Sequence, residues 1–566
     1  MDPLLAARRR VLRQLVEALT FEGLLAPQPD GDGCWSLPAG EAGSGARHRW
    51  RATERFSFGR TSIDGPICRD PGGAEALDPR RFLADVAAAL GPVDPARLTG
   101  LADELERTAF NDADAIAAWR ETPVPGPDAS FDEIETWTVA GHLYHPSYKS
   151  RLGFDRDDNH RYGPEFGPTV RPLWLALPAD ETELTAAPGV DPDAFVRAEL
   201  SDAFDRFRPG THALVPVHPW QWRARLAARL AGPVADGRVV VLGEATDDYR
   251  PQQSIRTLAN VTHPERASLK LALSIVTTST ARTLAPHTLH NAPLVTGWLR
   301  GIVHDDPVLH DELRFSVLGE DLTAAHLGSD GELGCLWRQS VPSQLDAGAG
   351  ERAVPFTTLA QRTPAGRPFI EPWVQEWGVE RWTARLLDVA VAPVVRLLQT
   401  HGIALEAHAQ NLILVHRGGL PERLVARDLH DGIRFSRRYL AEPDRVPDLA
   451  ATPQAHLRVN RNSFVETDDP EAVRDFVHDA FFFVNLAEVA FVLADDFGLD
   501  ERRFWAGVRT VVERHRGPLA SALDLLAPTV GIEQLAGRRL LPDDRLRIRR
   551  APNPLARVPP THLESA

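Results

Sequence analysis

Cysteine, methionine, positive charge and long apolar runs are all in short supply in this chain. Its 566 residues include three cysteines and one methionine. Cys34, Cys68 and Cys335 lie far apart with no CxxC spacing, which argues against a disulfide framework or a cysteine zinc site and suits a reducing cytoplasm. No apolar run approaches the ~18 to 20 residues of a membrane span. The richest segment, FVHDAFFFVNLAEVAFVLADDF, is interrupted by His478, Asp479, Asn485 and Glu488 and reads as a buried core helix. The first residues, MDPLLAARRRVLRQLVEAL, have the pattern of an amphipathic helix and not of a secretory signal. Lys plus Arg number 63 against 78 Asp plus Glu, a net charge of −15. So acidic a surface speaks against nucleic acid as a partner but leaves room for a local basic pocket. Walker A, G-x-G-x-x-G, H-R-D and D-F-G motifs are also missing, so any nucleotide site is neither P-loop nor Rossmann.

What is present is a globular composition, 43% hydrophobic and 25% charged. The length exceeds what one core supports, so several lobes are expected. Residues 1–130 show mostly helical spacing, with Asp78 and Asp94, each followed by Pro, as candidate helix caps. Residues 131–345 mix strands and helices. The Gly-, Pro- and Ala-rich stretch 342–369 reads as a long connection, and 373–401 as one or two helices with a kink at Pro393. The tail 551–566, with four prolines, reads as irregular. Clustering of helices and strands gives an α+β class.

Four polar constellations stand out. In GHLYHPSYKSRLGF (141–154), Pro146 can open a helix that places His145 and Lys149 on one face, near Arg151. Cations at a helix start suit a bound anion, and a solvated basic turn is the plainer alternative. In QQSIRTL (252–258), an extended backbone would put Ser254 and Arg256 on one face, with Thr257 opposite. A guanidinium among hydroxyls suits a carboxylate or phosphate. KLALSIVTTSTARTL (270–284) reads as a strand with Lys270 and Arg282 at its ends, either an ordinary edge strand or one lining a polyphosphate. In EAHAQNLILVHRGGLPERLVARDLHDG (406–432), two strands meet at a Gly-rich turn. The hairpin should gather Glu406, His408, Gln410 and Asn411 with Asp428 and Asp431. Such a gathering is costly unless something is bound, and its oxygen donors suit Mg²⁺ shared with nucleotide phosphates.

Taken in order, GHLYHPSYKSRLGF, HPWQW, SIRTL, KLALSIVTTSTARTL, EAHAQN and RDLHDG resemble the IucA/IucC family, the NRPS-independent siderophore synthetases. One departure is Leu143, where the family often has Pro. The resemblance implies a cupped hand: a helical thumb (1–130), mixed fingers (131–345) and a palm (346–566). It implies ATP, Mg²⁺ and a homodimer without membrane association. The implied reaction adenylates a carboxylate of citrate, citryl or succinyl type and condenses it with an amine, hydroxylamine or alcohol. By motif, Ser254, Arg256 and Thr257 would contact ATP phosphates and the carboxylate, and Lys270 and Arg282 would neutralise the triphosphate. His408, Gln410 and Asn411 would lie against nucleotide and acyl group. Asp428, with Glu406 and Asn411, would hold magnesium, and His145, Lys149 and Arg151 would close over the carboxylate donor. The competing classes are a kinase-like phosphotransferase releasing ADP and a non-catalytic polycarboxylate binder.

Overall fold

The computed structural model describes residues 2–37, 47–70, 72–126, 128–200, 210–278 and 280–563. The first helix, Pro3–Phe21, is capped by Asp2, whose carboxylate accepts from the Leu4 N–H, and buries Val11, Leu12, Leu15, Val16 and Leu19. Between this helix and residue 79, the expectation of a mostly helical N-terminal region misses a set of strands. The strands Gln28–Pro29, Cys34–Leu37, Arg47–Glu54, Thr61–Asp70 and Ala74–Glu75 form an antiparallel meander in chain order. Its signal was masked because Arg47–Glu54 carries charge on its outward face and only His48 and Trp50 inward. Helices Pro79–Val86 and Pro95–Glu121 then begin at the expected caps, Asp78 and Asp94, which accept from backbone N–H groups of the first turn.

The middle of the chain builds a six-stranded sheet and a three-stranded one. The larger runs Tyr249–Pro251, Thr257–Asn260, Ser268–Leu271, Gly334–Arg338, Glu320–His326, Thr182–Ala186. Three local expectations need correction. His145 to Lys149 form turns, not a helix. Residues 252–256 are a turn, not extended, with Ile255 at φ 65°. The single strand drawn from Lys270 to Arg282 is three, Ser268–Leu271, Leu273–Thr277 and Thr280–Arg282; the last folds back to set Arg282 opposite Leu273. Thr278 reverses the chain there with φ 61°.

In the last third, the supposed connection 342–369 contains the strand Arg352–Pro355, which pairs with the hairpin strand Leu412–Arg417. The helical run breaks at Gly378 (φ 78°) into Glu371–Trp377 and Val379–Arg396, while Pro393 stays inside the second helix. In the tail, the strand Ile548–Pro552 pairs with Thr529–Glu533, and Pro554–Arg557 makes a short 3₁₀ turn. Pro470–Phe497 is long and apolar enough to cross a membrane by length and composition, more so than the sequence suggested, but 83% of its apolar window is buried, as expected of a core helix.

That helix explains why the two ends of the chain pack together. Phe483, at 0% exposure, stacks on Phe21 (4.8 Å) and meets Phe58 (5.4 Å) and Tyr144 (5.0 Å) edge-on. One apolar core therefore joins the first helix, the meander and the C-terminal helices, while the six- and three-stranded sheets close a second core around Trp174 and Trp337. Phe483→Ala should destabilise the fold by about 3–5 kcal/mol, read as a lowered denaturant midpoint with an unchanged slope.

Candidate functional site

The site forms where the hairpin meets the six-stranded sheet. Gly418 (φ 56°) and Gly419 (φ 80°) supply the left-handed turn that closes Leu412–Arg417 onto Leu420–Ala426. At the open end, the Arg427 N–H donates to the Asn411 carbonyl (2.9 Å), so the two flanks meet. Asp428 comes next in a left-handed conformation, φ 64°, which turns its carboxylate out of the hairpin. Opposite it, Lys270 pairs in register with Thr257 and Leu336.

Asp428 is the link between the two walls. Its carboxylate makes close ion pairs with both Lys270 Nζ and Arg338. Behind them Glu320, fully buried, accepts from Arg338 (3.1 Å), from the His430 N–H (3.1 Å) and from His430 Nδ1 (3.1 Å). His430 Nε2 lies 3.1 Å from Lys270 Nζ. Burial opposes ionisation of Asp428, but Arg338 and Lys270 outweigh it and hold the carboxyl well below its usual range. Lys270 is itself pushed down to about 8 by burial, with Arg256 and Arg338 adding to the effect against Asp428.

The remaining residues surround this pair. Arg256 Nη1 donates to the carbonyls of Arg282 (2.9 Å) and Thr283 (2.7 Å), which fixes one guanidinium beside the next. Burial and the neighbouring Arg282 push Arg256 down to about 10. Ser254 Oγ donates to Thr257 Oγ1 (2.7 Å) and accepts from the Thr257 N–H (3.2 Å). Asn411 Nδ2 donates to the Glu406 carbonyl (3.0 Å) and reaches Glu406 Oε2 at 3.4 Å. Burial, then Asp431 and Asp428, push Glu406 up to about 7. Burial brings His408 down to about 4, against Asp428 and with Arg282. His145, also near 4 through burial and Arg282, accepts from the Ser147 N–H at Nδ1 (3.2 Å), and its buried Nε2 has no partner among the described residues.

His145, Ser254, Arg256, Thr257, Lys270, Arg282, Glu406, His408, Asn411 and Asp428 are thus drawn into one polar cluster. Gln410 adjoins it, with its backbone carbonyl taken by Arg427 Nε (2.8 Å). Lys149 and Arg151 are placed differently. Lys149 Nζ is buried on Asp112 (2.7 Å) and the Val139 carbonyl, and Arg151 on Glu165 (2.9 Å) and Asn159 (2.5 Å). Without a helix at 145–149 the one-face argument lapses, and both cations brace the loop that carries His145. Glu320, Arg338 and His430 escaped the sequence reading. His430 sits inside RDLHDG, but Glu320 and Arg338 stand at strand ends that only the sheet register brings together.

The donor set fits a hard divalent cation. Burial first, and then the crowding of Asp431 and Asp428, lift Glu406 to about 7, and such an ion would offset that repulsion. Glu320, Asp428 and His430 also bring ligand atoms within 4.8 Å of one another, but Glu320 and His430 already satisfy each other and Arg338.

Comparison with known proteins adds a lineage. Residues 130–361 match the profile of the IucA / IucC family, and residues 380–564 match one described as ferric iron reductase FhuF-like transporter. The chain is 37% identical to the Staphylococcus aureus 2-[(L-alanin-3-ylcarbamoyl)methyl]-3-(2-aminoethylcarbamoyl)-2-hydroxypropanoate synthase, over 97% of the chain and 92% of the relative. It is 36% identical to the Bacillus anthracis citryl-spermidine/3,4-dihydroxybenzoyl-citryl-spermidine:spermidine ligase, over 99% and 95%. The crystal structure of the petrobactin biosynthesis protein AsbB from Bacillus anthracis superposes with a TM-score of 0.90 at 36% identity, covering 98% of this chain and 96% of that one. The aerobactin synthetase IucC of Klebsiella pneumoniae, 22% identical with a TM-score of 0.82 over 98% of both chains, shares the fold. The α+β cupped hand expected from the motifs is the architecture of this group.

The depressed His145 gives a pH signature. Its folded value near 4 lies below the ordinary 6.5, so between those limits the unfolded chain holds a proton that the folded one lacks. Its contribution is constant above pH 6.5 and falls as pH drops toward 4, by at most about 1.4 kcal/mol per unit. His145→Gln should therefore lose less stability than the parent between pH 6.5 and 4.5 in parallel denaturation curves.

Proposed function

This chain belongs to the IucA/IucC family and is a ligase of siderophore biosynthesis, and on that premise we propose that it adenylates a carboxylic acid with ATP and condenses the product with an amine. The observation that carries the reading is the meeting of Arg256, Lys270 and Arg282 with Glu406 and Asp428 in one cleft. A carboxylate and a triphosphate repel each other, and reaction between them needs fixed positive charge where both must sit. Arg256, Lys270 and Arg282 supply it, already desolvated and held by the fold. Ser254 and Thr257 offer hydroxyls to the phosphates. His145 and His408, both near 4, are neutral at pH 7, so they orient the acyl group by hydrogen bonds without adding charge.

Glu406, Asn411 and Asp428 would hold Mg²⁺, which screens phosphate charge when bound. A triphosphate that draws Lys270 away would free the Asp428 carboxylate for that role. The substrate carboxylate oxygen bonds to the α-phosphorus as the bond to pyrophosphate breaks. The amine then bonds to the acyl carbon as AMP leaves with the C–O electron pair. The names of the relatives, with citryl, aminoethyl and spermidine parts, favour a citrate-like acid and a polyfunctional amine. The same reading takes the protein as a cytoplasmic homodimer, consistent with its three unpaired cysteines.

A panel of carboxylic acids with ATP, Mg²⁺ and hydroxylamine should give pyrophosphate and AMP with one acid. ADP in place of AMP would establish a phosphotransferase instead, and tight citrate binding without ATP consumption a passive binder. Arg256→Ala and Lys270→Ala should each lower kcat/KM by about 10²-fold or more while far-UV dichroism stays unchanged, since one buried charge contact of this kind is worth about 3 kcal/mol in the transition state.

A further inference from the structure

Lys270 is held by more than the carboxylate that faces it. The strands Ser268–Leu271, Gly334–Arg338 and Glu320–His326 are neighbours in the six-stranded sheet. Arg338 lies opposite Ser268 on one side and Glu320 on the other, and Lys270 lies opposite Leu336. Side chains alternate along a strand, so Lys270 and Arg338 share a face, and Glu320 joins them there through its contact with Arg338. His430 enters this group from the hairpin flank and is buried with it. Glu320 takes both its backbone N–H (3.1 Å) and its ring Nδ1 (3.1 Å), which fixes the imidazole in place.

The direction of each hydrogen bond follows from the groups themselves. An ammonium and a guanidinium only donate. His430 Nε2, 3.1 Å from Lys270 Nζ, therefore accepts. The ring proton then sits on Nδ1, where Glu320 receives it. Lys270 Nζ has three N–H donors: Asp428 takes one, His430 takes a second, and the third has no partner among the described residues. Asp428 is likewise held twice, by Lys270 and by Arg338. If a phosphate drew Lys270 off Asp428, neither would be left alone, since Asp428 keeps Arg338 and Lys270 keeps His430.

We propose that His430 is a positioning residue for the adenylation: its Nε2, with the tautomer set by Glu320, holds the Lys270 ammonium for the phosphate oxygens once Asp428 has released it. A second carboxylate in that place would compete with the phosphates for the positive charge. An imidazole nitrogen that accepts carries no proton, so it orients the ammonium and leaves its charge to act on the phosphates. The proposal rests on the synthetase reading for the reaction that Lys270 serves, but not for the contact itself.

Asn and Gln separate the two ring nitrogens. In His430→Asn an amide near the Nδ1 position still donates to Glu320, but nothing reaches Lys270. In His430→Gln an amide oxygen near the Nε2 position still accepts from Lys270. In hydroxylamine-trapped pyrophosphate release, His430→Asn should lower kcat/KM for ATP about tenfold or more, and His430→Gln should stay within about threefold of the parent. The reverse order, or an Asn variant equal to the parent, would mean that His430 only braces Glu320 and would overturn the assignment. Where both variants lose activity, a double-mutant cycle decides. By calorimetry with α,β-methylene-ATP and Mg²⁺, His430→Asn should weaken binding about fivefold or more in the parent and less than about twofold in Lys270→Ala. Equal losses in the two backgrounds would overturn the proposal, as would a parent that binds no analogue. Nitrogen-15 spectra of the histidine-labelled parent, assigned against His430→Gln, should show Nε2 without a proton, and a proton there would overturn it too. Pyrophosphate release with an additive cycle would keep the synthetase reading and remove the role of His430. A non-additive cycle without pyrophosphate from any acid would do the opposite, leaving His430 to position Lys270 for nucleotide binding alone.

Discussion

The carboxylate of Asp428, shared by Lys270 and Arg338, is the contact on which the site depends. It ties a hairpin from the last third of the chain to a sheet from the middle, with Lys270 and Arg338 buried and Asp428 part-buried. A lone buried charge would be expelled or neutralised, and a pair without backing would gain little over its desolvation cost. Here Glu320 and His430 stand behind the pair, Glu320 taking a second contact from Arg338 and His430 lying between Glu320 and Lys270. The cost of bringing these charges together is met within the protein, before any ligand arrives.

The same burial explains the titration pattern of the whole cleft. Arg256, Arg282 and Lys270 are pushed down, Glu406 is pushed up, and His142, His145 and His408 are held neutral, with burial the leading cause in every case. These groups lean toward their uncharged forms, a lean that a polyanion with a divalent cation would reverse for the cations and Glu406, whereas Asp428, Glu320 and Arg338 are held charged by one another. Strain points to the same place. Arg151, Ile255, Thr278 and Asp428 all adopt positive φ within the four polar segments, at an order of 1–3 kcal/mol each.

The sequence disclosed most of the gathering and little of the bracing. Arg256, Lys270, Arg282, His408 and Asp428 were visible because each is a polar residue beside an apolar strand or turn, where charge is out of place. Lys149 and Arg151 were equally conspicuous and were misassigned, because Asp112, Asn159 and Glu165, which absorb them, lie in other elements. Glu320 and Arg338 gave no local sign, for a charge at the end of a strand acquires meaning only from the strand beside it. The meander was missed since Arg47–Glu54 offers only His48 and Trp50 as buried inward residues, too few to mark a strand, and the turn at 252–256 because a left-handed isoleucine has no sequence signature.

The core around Phe483 has a consequence for how the chain is made. Phe21 stacks on a residue about 460 positions later, and the Glu22 carboxylate accepts from the backbone of Ala536 and Gly537. At ribosomal speeds of about 5–20 residues per second, the first helix waits roughly 25 to 90 seconds for those partners. Throughout that interval the stripe of Val11, Leu15 and Leu19 has only its near neighbours to cover it. Biosynthesis of this protein therefore includes a long exposed phase in which chaperone capacity, more than final stability, governs yield.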